Sequence, residues 1–108
     1  QLEITNVADL KQQVSFYYEI CREAALDPKN FQARILSSKF GSLLILISAL
    51  EGTVDSKKRS SVSEKIRQEI DEINKYIQEN LGNFPPELQS VFQGYQRKSI
   101  LRIPLTIA

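Results

Sequence analysis

Nine consecutive residues, Ser42 to Leu50 with the sequence SLLILISAL, carry no charge and only two hydroxyl groups. A helix that faces a bundle core needs one apolar stripe, whereas this segment is apolar on nearly all sides for more than two turns. A helix that is hydrophobic all round is normally buried all round, and a bundle of 108 residues cannot bury one member on every side. We therefore expect the outer face of this helix to be covered, either by another part of the chain or by a partner.

The spacing of apolar residues predicts an all-α fold. In four segments, apolar side chains recur at alternating steps of three and four residues, which places them on one face of a helix. The predicted helices cover residues 7–26, 28–51, 62–81 and 86–100. Short connections between them favour an antiparallel up-down-up-down four-helix bundle. The chain length suits a single domain that covers residues 1–108.

Capping and helix-breaking residues set several of the predicted boundaries. Asn6 is a good N-cap for the first helix. Ser61 and Glu64 have the S-x-x-E spacing of a capping box, so the third helix is predicted to begin there, after a polar loop. Pro104 disfavours helix in the residue before it. Residues 101–108 are therefore predicted to form an extended apolar tail.

A stripe of small residues follows the second predicted helix. Ala33, Ser37 and Gly41 recur at steps of four, so they share one face of that helix. Small side chains let a neighbouring helix approach closely. A glycine inside a helix costs up to about 1 kcal/mol relative to alanine, so we expect Gly41 to be explained by packing.

The composition excludes several kinds of chemistry. The chain has no histidine, which is the commonest general base and the commonest metal ligand. With one cysteine and no histidine, neither an internal disulfide nor an ordinary structural zinc site can be built. The glycines form no phosphate-binding loop. We therefore predict no catalytic residues, no metal site and no cofactor, and we interpret Cys21 as a buried apolar residue.

Two clusters of basic residues indicate a surface for an anionic partner. One follows the second predicted helix and the other follows the fourth, so an up-down-up-down bundle would place both at the same pole. The clusters are Lys57, Lys58 and Arg59, and Arg97, Lys98 and Arg102. The net charge is only +1 and no aromatic residues are interleaved, so nucleic acid is the weaker candidate partner.

The predicted tail has two interpretations. Ile103, Leu105 and Ile107 alternate with other residues, which suits an extended strand-like segment. Ten residues span up to about 33 Å, so the tail could fold back over helix two as a lid within the chain. It could instead dock on another subunit or add itself to the edge of a partner's sheet. The sequence leaves both open and favours an interaction site.

The segment from Ser42 to Leu50 is about half of the roughly 20 apolar residues that a membrane-spanning helix needs. No transmembrane segment is therefore predicted. The single cysteine leaves the cellular compartment undetermined.

These features predict a non-enzymatic protein–protein interaction module, such as an adaptor or a small accessory or structural subunit of a larger complex. Its partner would be another protein or a second copy. The predicted partner-binding residues are Leu44, Ile45, Leu46, Lys57, Lys58, Arg59, Arg97, Lys98, Arg102, Ile103, Leu105 and Ile107. The alternative is a small helical subunit of a nucleic-acid-associated complex that uses the basic pole, whose binding would weaken steeply with salt.

Overall fold

A computed structural model describes residues 2–93 and 105–107 of the chain. Its elements, in chain order, are strand β1 (Leu2–Ile4), helices α1 (Val7–Ala24), α2 (Phe31–Glu51) and α3 (Ser56–Asn80), a 3₁₀ turn (Leu81–Asn83), helix α4 (Pro86–Phe92) and strand β2 (Leu105–Ile107). The predicted all-α four-helix bundle is confirmed, and the two three-residue strands add a small ribbon to it. Residues 94–100 of the predicted fourth helix lie outside the described residues.

Helices α1 and α2 pack antiparallel. At the start of α1, the Asn6 side chain accepts a 3.1 Å hydrogen bond from the Asp9 N–H, which confirms the predicted cap. Lys11 Nζ lies 2.9 Å from Glu51 Oε1, which joins the start of α1 to the end of α2. This ion pair fixes the opposite directions of the two helices.

The turn between α1 and α2 is longer than predicted. The predicted start of the second helix at residue 28 is wrong, because α2 begins at Phe31, and α1 ends at Ala24 rather than at residue 26. The Asp27 carboxylate accepts a 3.0 Å hydrogen bond from the Lys29 N–H, which closes a tight turn instead of starting a helix. The Asn30 amide then donates a 2.8 Å hydrogen bond back to the carbonyl of Ala24.

Helix α3 begins earlier than the capping-box pattern predicts. Its first residue is Ser56, and the Asp55 carboxylate caps it by accepting a 3.1 Å hydrogen bond from the Lys58 N–H. The prediction that Ser61 and Glu64 start the helix is wrong, since both lie inside it. Aspartate is a strong N-cap and no helix breaker lies between the two candidate starts, so the earlier cap prevails.

One apolar core joins the helices. Its buried members are Ile4, Leu10, Val14, Tyr17, Cys21, Ala33, Leu36, Phe40, Leu43, Ile47, Leu50, Ile66, Ile70, Ile73, Ile77, Phe84, Leu88 and Phe92. Tyr17 of α1 stacks on Phe40 of α2 and on Phe92 of α4, with ring centroids 6.0 and 5.7 Å apart. Phe92 also lies edge-on to Phe84, 6.0 Å away. These rings attach the short α4 to the rest of the bundle.

The small-residue stripe of α2 has the packing role that the sequence indicates. A Cβ atom added to Gly41 would lie 3.3 Å from Cε1 of Tyr18 on α1, closer than a relaxed contact. Ala33 of the same stripe is fully buried. The glycine therefore makes room for a tyrosine ring between two antiparallel helices.

The two ends of the described chain meet in an antiparallel ribbon. Leu2 pairs with Ile107, and Ile4 pairs with Leu105. Strand β1 packs on α3, where the Ile4 N–H donates a 3.2 Å hydrogen bond to the buried Oγ of Ser63. Residues 105–107 of the predicted tail therefore form a strand, and they pair with β1 near the other end of the sequence.

Candidate interaction surfaces

The outward face of α2 carries one charged side chain, that of Arg34. Residues at steps of seven, four, three and four form one exposed stripe along the helix, about 27 Å long. We call this the α2 outer stripe, and its members are Phe31, Ser38, Ser42, Ile45 and Ala49. Two large apolar side chains lie on it, because Phe31 is 61% exposed and Ile45 is 72% exposed. Two serines separate them, so the middle of the stripe has little side-chain bulk.

Only one of the three predicted apolar contacts on α2 lies fully on the surface. Leu44 and Leu46 are half-buried and pack against the core. They lie about 100° to either side of Ile45 around the helix. The uncharged segment therefore extends the core on two sides and leaves Ile45 and small residues facing outward, which explains how a small bundle accommodates it.

Two of the three charged residues of α2 lie to the sides of this stripe. Lys39 Nζ lies 5.5 Å from the centre of the Tyr76 ring on α3. Glu51 is held by Lys11. Arg34 is exposed and lies on the same face, three residues after Phe31 and four before Ser38. The exposed surface between Phe31 and Ala49 is therefore apolar and hydroxylic, with one cation on it.

Arg59 belongs to the internal hydrogen bonding of the bundle. Its Nη1 donates hydrogen bonds of 3.0 Å to the carbonyl of Leu50 and 2.9 Å to the carbonyl of Thr53. The Leu50 carbonyl lies in the last turn of α2 and also accepts a hydrogen bond from the Thr53 N–H, and Thr53 lies in the loop that follows the helix. Arg59 therefore caps the C-terminus of α2, a role that the basic-cluster pattern does not reveal.

Lys57 and Lys58 lie in the first turn of α3 and are exposed, rather than in the predicted loop. Arg97, Lys98, Arg102 and Ile103 lie outside the described residues, as does the predicted shared pole that depends on them. The backbone of Leu105 and Ile107 belongs to β2.

Cys21 is fully buried in the core, which confirms its interpretation as an apolar core residue. Burial raises the pKa of its thiol to about 12, so the reactive thiolate is disfavoured. Within the described residues, no group of three or more histidine, cysteine, aspartate or glutamate side chains is placed to hold a metal ion.

Phe31 is a surface residue that sequence reasoning missed. It opens α2, and its position on the α2 outer stripe follows only once the start of the helix is known. Leu26, 79% exposed in the preceding turn, was missed for the same reason. The sequence signal that could have identified Phe31 is the seven-residue spacing of Phe31, Ser38 and Ile45, which places the three residues on one helix face.

The described residues include one helix, Phe31–Glu51, that is long and apolar enough to cross a membrane by length and composition alone. A third of its most apolar window is buried inside the bundle. The core helices of soluble proteins and signal sequences share this composition, so it does not by itself identify a membrane-spanning helix. The absence of a transmembrane segment stays a prediction.

The fold and its surface define an all-α helical-bundle protein with an outer stripe of apolar and hydroxyl-bearing side chains on its second helix. No family model, no curated protein and no solved structure matches the chain.

Proposed function

We propose that this protein is a non-enzymatic interaction module, an adaptor or a small accessory subunit, that binds another protein through the α2 outer stripe. The observation that carries the proposal is the pair of exposed apolar side chains, Phe31 and Ile45, on one helix face that also carries Arg34. Contiguous exposed apolar patches are typical of interaction sites, whereas Phe31 and Ile45 lie about 21 Å apart along the helix, so a partner would have to follow the length of the face to cover both.

The stripe has the physical properties that a docked helix requires. Full burial of a large apolar side chain contributes about 1.5–3 kcal/mol, so covering most of Phe31 and Ile45 would give a few kcal/mol together. Ser38 and Ser42 lie between them and allow close approach of a partner helix. Arg34 on the same face would orient an acidic group of the partner.

The tail has a secondary part in this proposal. Strand β2 pairs with β1 along one edge. An unpaired strand edge can accept a strand from a partner. The apolar tail residues Ile103, Leu105 and Ile107 stay in the proposed binding surface on sequence grounds.

The nucleic-acid alternative has less support than the protein partner. Arg59, one of the six predicted cations, is used inside the bundle. The other exposed bases of α3 are followed along the same helix by acidic residues, which would repel a phosphate backbone.

The proposal is tested by the size of the complex that the chain forms in extracts of its own source. We compare the native chain, Ile45→Lys and a control, Gln12→Lys, which adds the same charge at an exposed site on α1. The native chain and the control should migrate in a complex larger than a monomer, and Ile45→Lys should be released from it. Equal behaviour of all three proteins would refute the stripe as the binding surface.

A further inference from the structure

Helix α3 is strongly polarised in charge. Its first half, residues 56–68, holds five basic residues and one acid, a net charge of +4. Its second half, residues 69–80, holds four acids and one base, a net charge of −3. The first turn contains no acid and the last turn contains no base.

This order opposes what helix stability favours. The N-terminus of a helix carries partial positive charge, which acids stabilise and bases destabilise. Lys57 and Lys58 lie in the first turn, where they add to the positive end of the helix. The Asp55 cap places one carboxylate at this end, but the two lysines still oppose the helix dipole, so helix stability alone does not account for the order of charges along α3.

Some of these charges are already satisfied within the chain. Arg67 contacts Glu64 at 2.6 Å and Asp71 at 3.4 Å, which neutralises the middle of the helix. Arg59 is bound to the carbonyls at the end of α2. The charged side chains of α3 without such a partner are therefore mainly basic in its first half and mainly acidic in its second half.

The remaining charges lie on the outward side of α3. The exposed residues there include Lys57, Ser61, Lys65, Gln68, Glu72 and Glu79, at the spacing of one helix face. None of the four charged members makes an ion pair with another residue of the described segments. Lys75, also exposed, is the one base in the acidic half.

We propose that this face pairs with α3 of a second copy in antiparallel orientation, around a two-fold axis at Gln68. Lys57 and Glu79 each lie eleven residues from Gln68, so Lys57 of one copy faces Glu79 of the other, about 16 Å from the axis. Lys65 faces the segment 71–72 of the second copy. Charge order excludes the parallel pairing, which would place Lys57 against Lys57.

A second copy fits this surface better than other partners. A helix face that is basic at one end and acidic at the other is self-complementary under a two-fold axis, because the axis brings the basic end of one copy against the acidic end of the other. Nucleic acid would be attracted by one half of the face and repelled by the other. Exposed ion pairs contribute little individually and are screened by salt, so the dimer is weak and salt-sensitive. The dimer is formed by α3 and not by the α2 outer stripe, so this inference does not depend on the proposed function.

Paired charge reversals test the inference by sedimentation of the full chain. An acidic-face variant carries Lys57→Glu with Lys65→Glu, and a basic-face variant carries Glu72→Lys with Glu79→Lys. Each variant alone should be monomeric, because like charges now face each other. Their equimolar mixture should form a heterodimer, because position 57 of one variant then faces position 79 of the other with opposite sign, and position 65 lies beside position 72 with opposite sign. A mixture that stays monomeric would overturn the inference.

The native chain provides a second measurement that needs no variant. Its dimer should weaken by about tenfold or more between ionic strengths of about 0.01 and 1 M, over which the screening length falls from roughly 30 to 3 Å. The control variant Ile45→Lys should dimerise as the native chain does. A native chain that is monomeric at low salt, a dimer insensitive to salt, or a dimer abolished by Ile45→Lys would each contradict pairing through α3.

Discussion

The backbone N–H of Ile4 donates a 3.2 Å hydrogen bond to the hydroxyl of Ser63, fifty-nine residues further along the chain. Ser63 is 1% exposed, and Ile4 is fully buried beside it. Since β1 also pairs with β2, this hydrogen bond, together with the burial of Ile4 in the core, holds the terminal ribbon against α3. A buried serine in an apolar helix face thereby positions the terminal ribbon.

Ser63→Ala is expected to destabilise the protein by about 1–3 kcal/mol, because the buried Ile4 N–H would lose its partner. Ser61→Ala is the matched control, since Ser61 lies on the same helix and is exposed. The control should change the free energy of unfolding by less than about 0.5 kcal/mol. Urea unfolding measures both, and equal values for the two variants would show that the hydrogen bond contributes nothing.

Gly41→Leu is expected to destabilise the bundle by about 1–3 kcal/mol through overpacking against Tyr18. Ser42→Leu, one residue further on the exposed face, should be nearly neutral. Adding Tyr18→Ala to Gly41→Leu should give a smaller loss than the sum of the two single changes, because the ring that causes the clash is gone. Additive losses in urea unfolding would contradict this close contact.

Arg59→Gln is expected to lower the free energy of unfolding by about 1–3 kcal/mol, since two hydrogen bonds to the end of α2 are lost. Lys58→Gln, its exposed neighbour in the same helical turn, should change stability by less than about 0.5 kcal/mol. Thermal unfolding of both variants gives the comparison. If Lys58→Gln proved as damaging as Arg59→Gln, the loss would reflect charge rather than the capping bonds.

The buried thiol of Cys21 predicts a pH dependence of stability. Burial raises its pKa from 9.0 to about 12, so the folded state holds the proton more tightly than the unfolded chain does. The thiol's contribution to stability is therefore fully present below about pH 9 and is lost as the pH rises toward 12. Cys21→Ala removes this dependence.

The measurement is urea unfolding of the native chain and of Cys21→Ala, at about pH 8 and at about pH 10. The stability of the native chain should fall more steeply between the two values than that of the variant. An unchanged difference between the two proteins would show that the thiol ionises as readily in the folded state as in the unfolded one.

Local pattern was sufficient for the helices and insufficient for what connects them. The three- and four-residue spacing of Ile66, Ile70, Ile73 and Ile77 identifies α3 because helix periodicity depends on neighbours in the chain. Its start was misplaced because Asp55 and Ser61 are both good caps, and the spacing of apolar residues cannot choose between them.

Long-range contacts could not be predicted from the pattern. The three-residue strand β1 carries too little periodicity to be identified, and its pairing with β2 joins opposite ends of the sequence. Arg59 reads as part of a basic run because its two carbonyl partners come from the preceding helix and loop. The outward position of Ile45, by contrast, follows from helix geometry once Leu44 and Leu46 are assigned to the sides of the core.

The most direct test of the α2 outer stripe as a partner surface is a photo-crosslinking scan in the source cells. A photoreactive amino acid replaces Ser38, Ser42, Ile45 or Ala49 in turn, with Gln12 and Glu23 on α1 as exposed controls. We expect the four stripe positions to crosslink to the same protein and the two α1 positions to give no product. Crosslinks from α1 alone, or none from the stripe, would contradict the proposed interaction function.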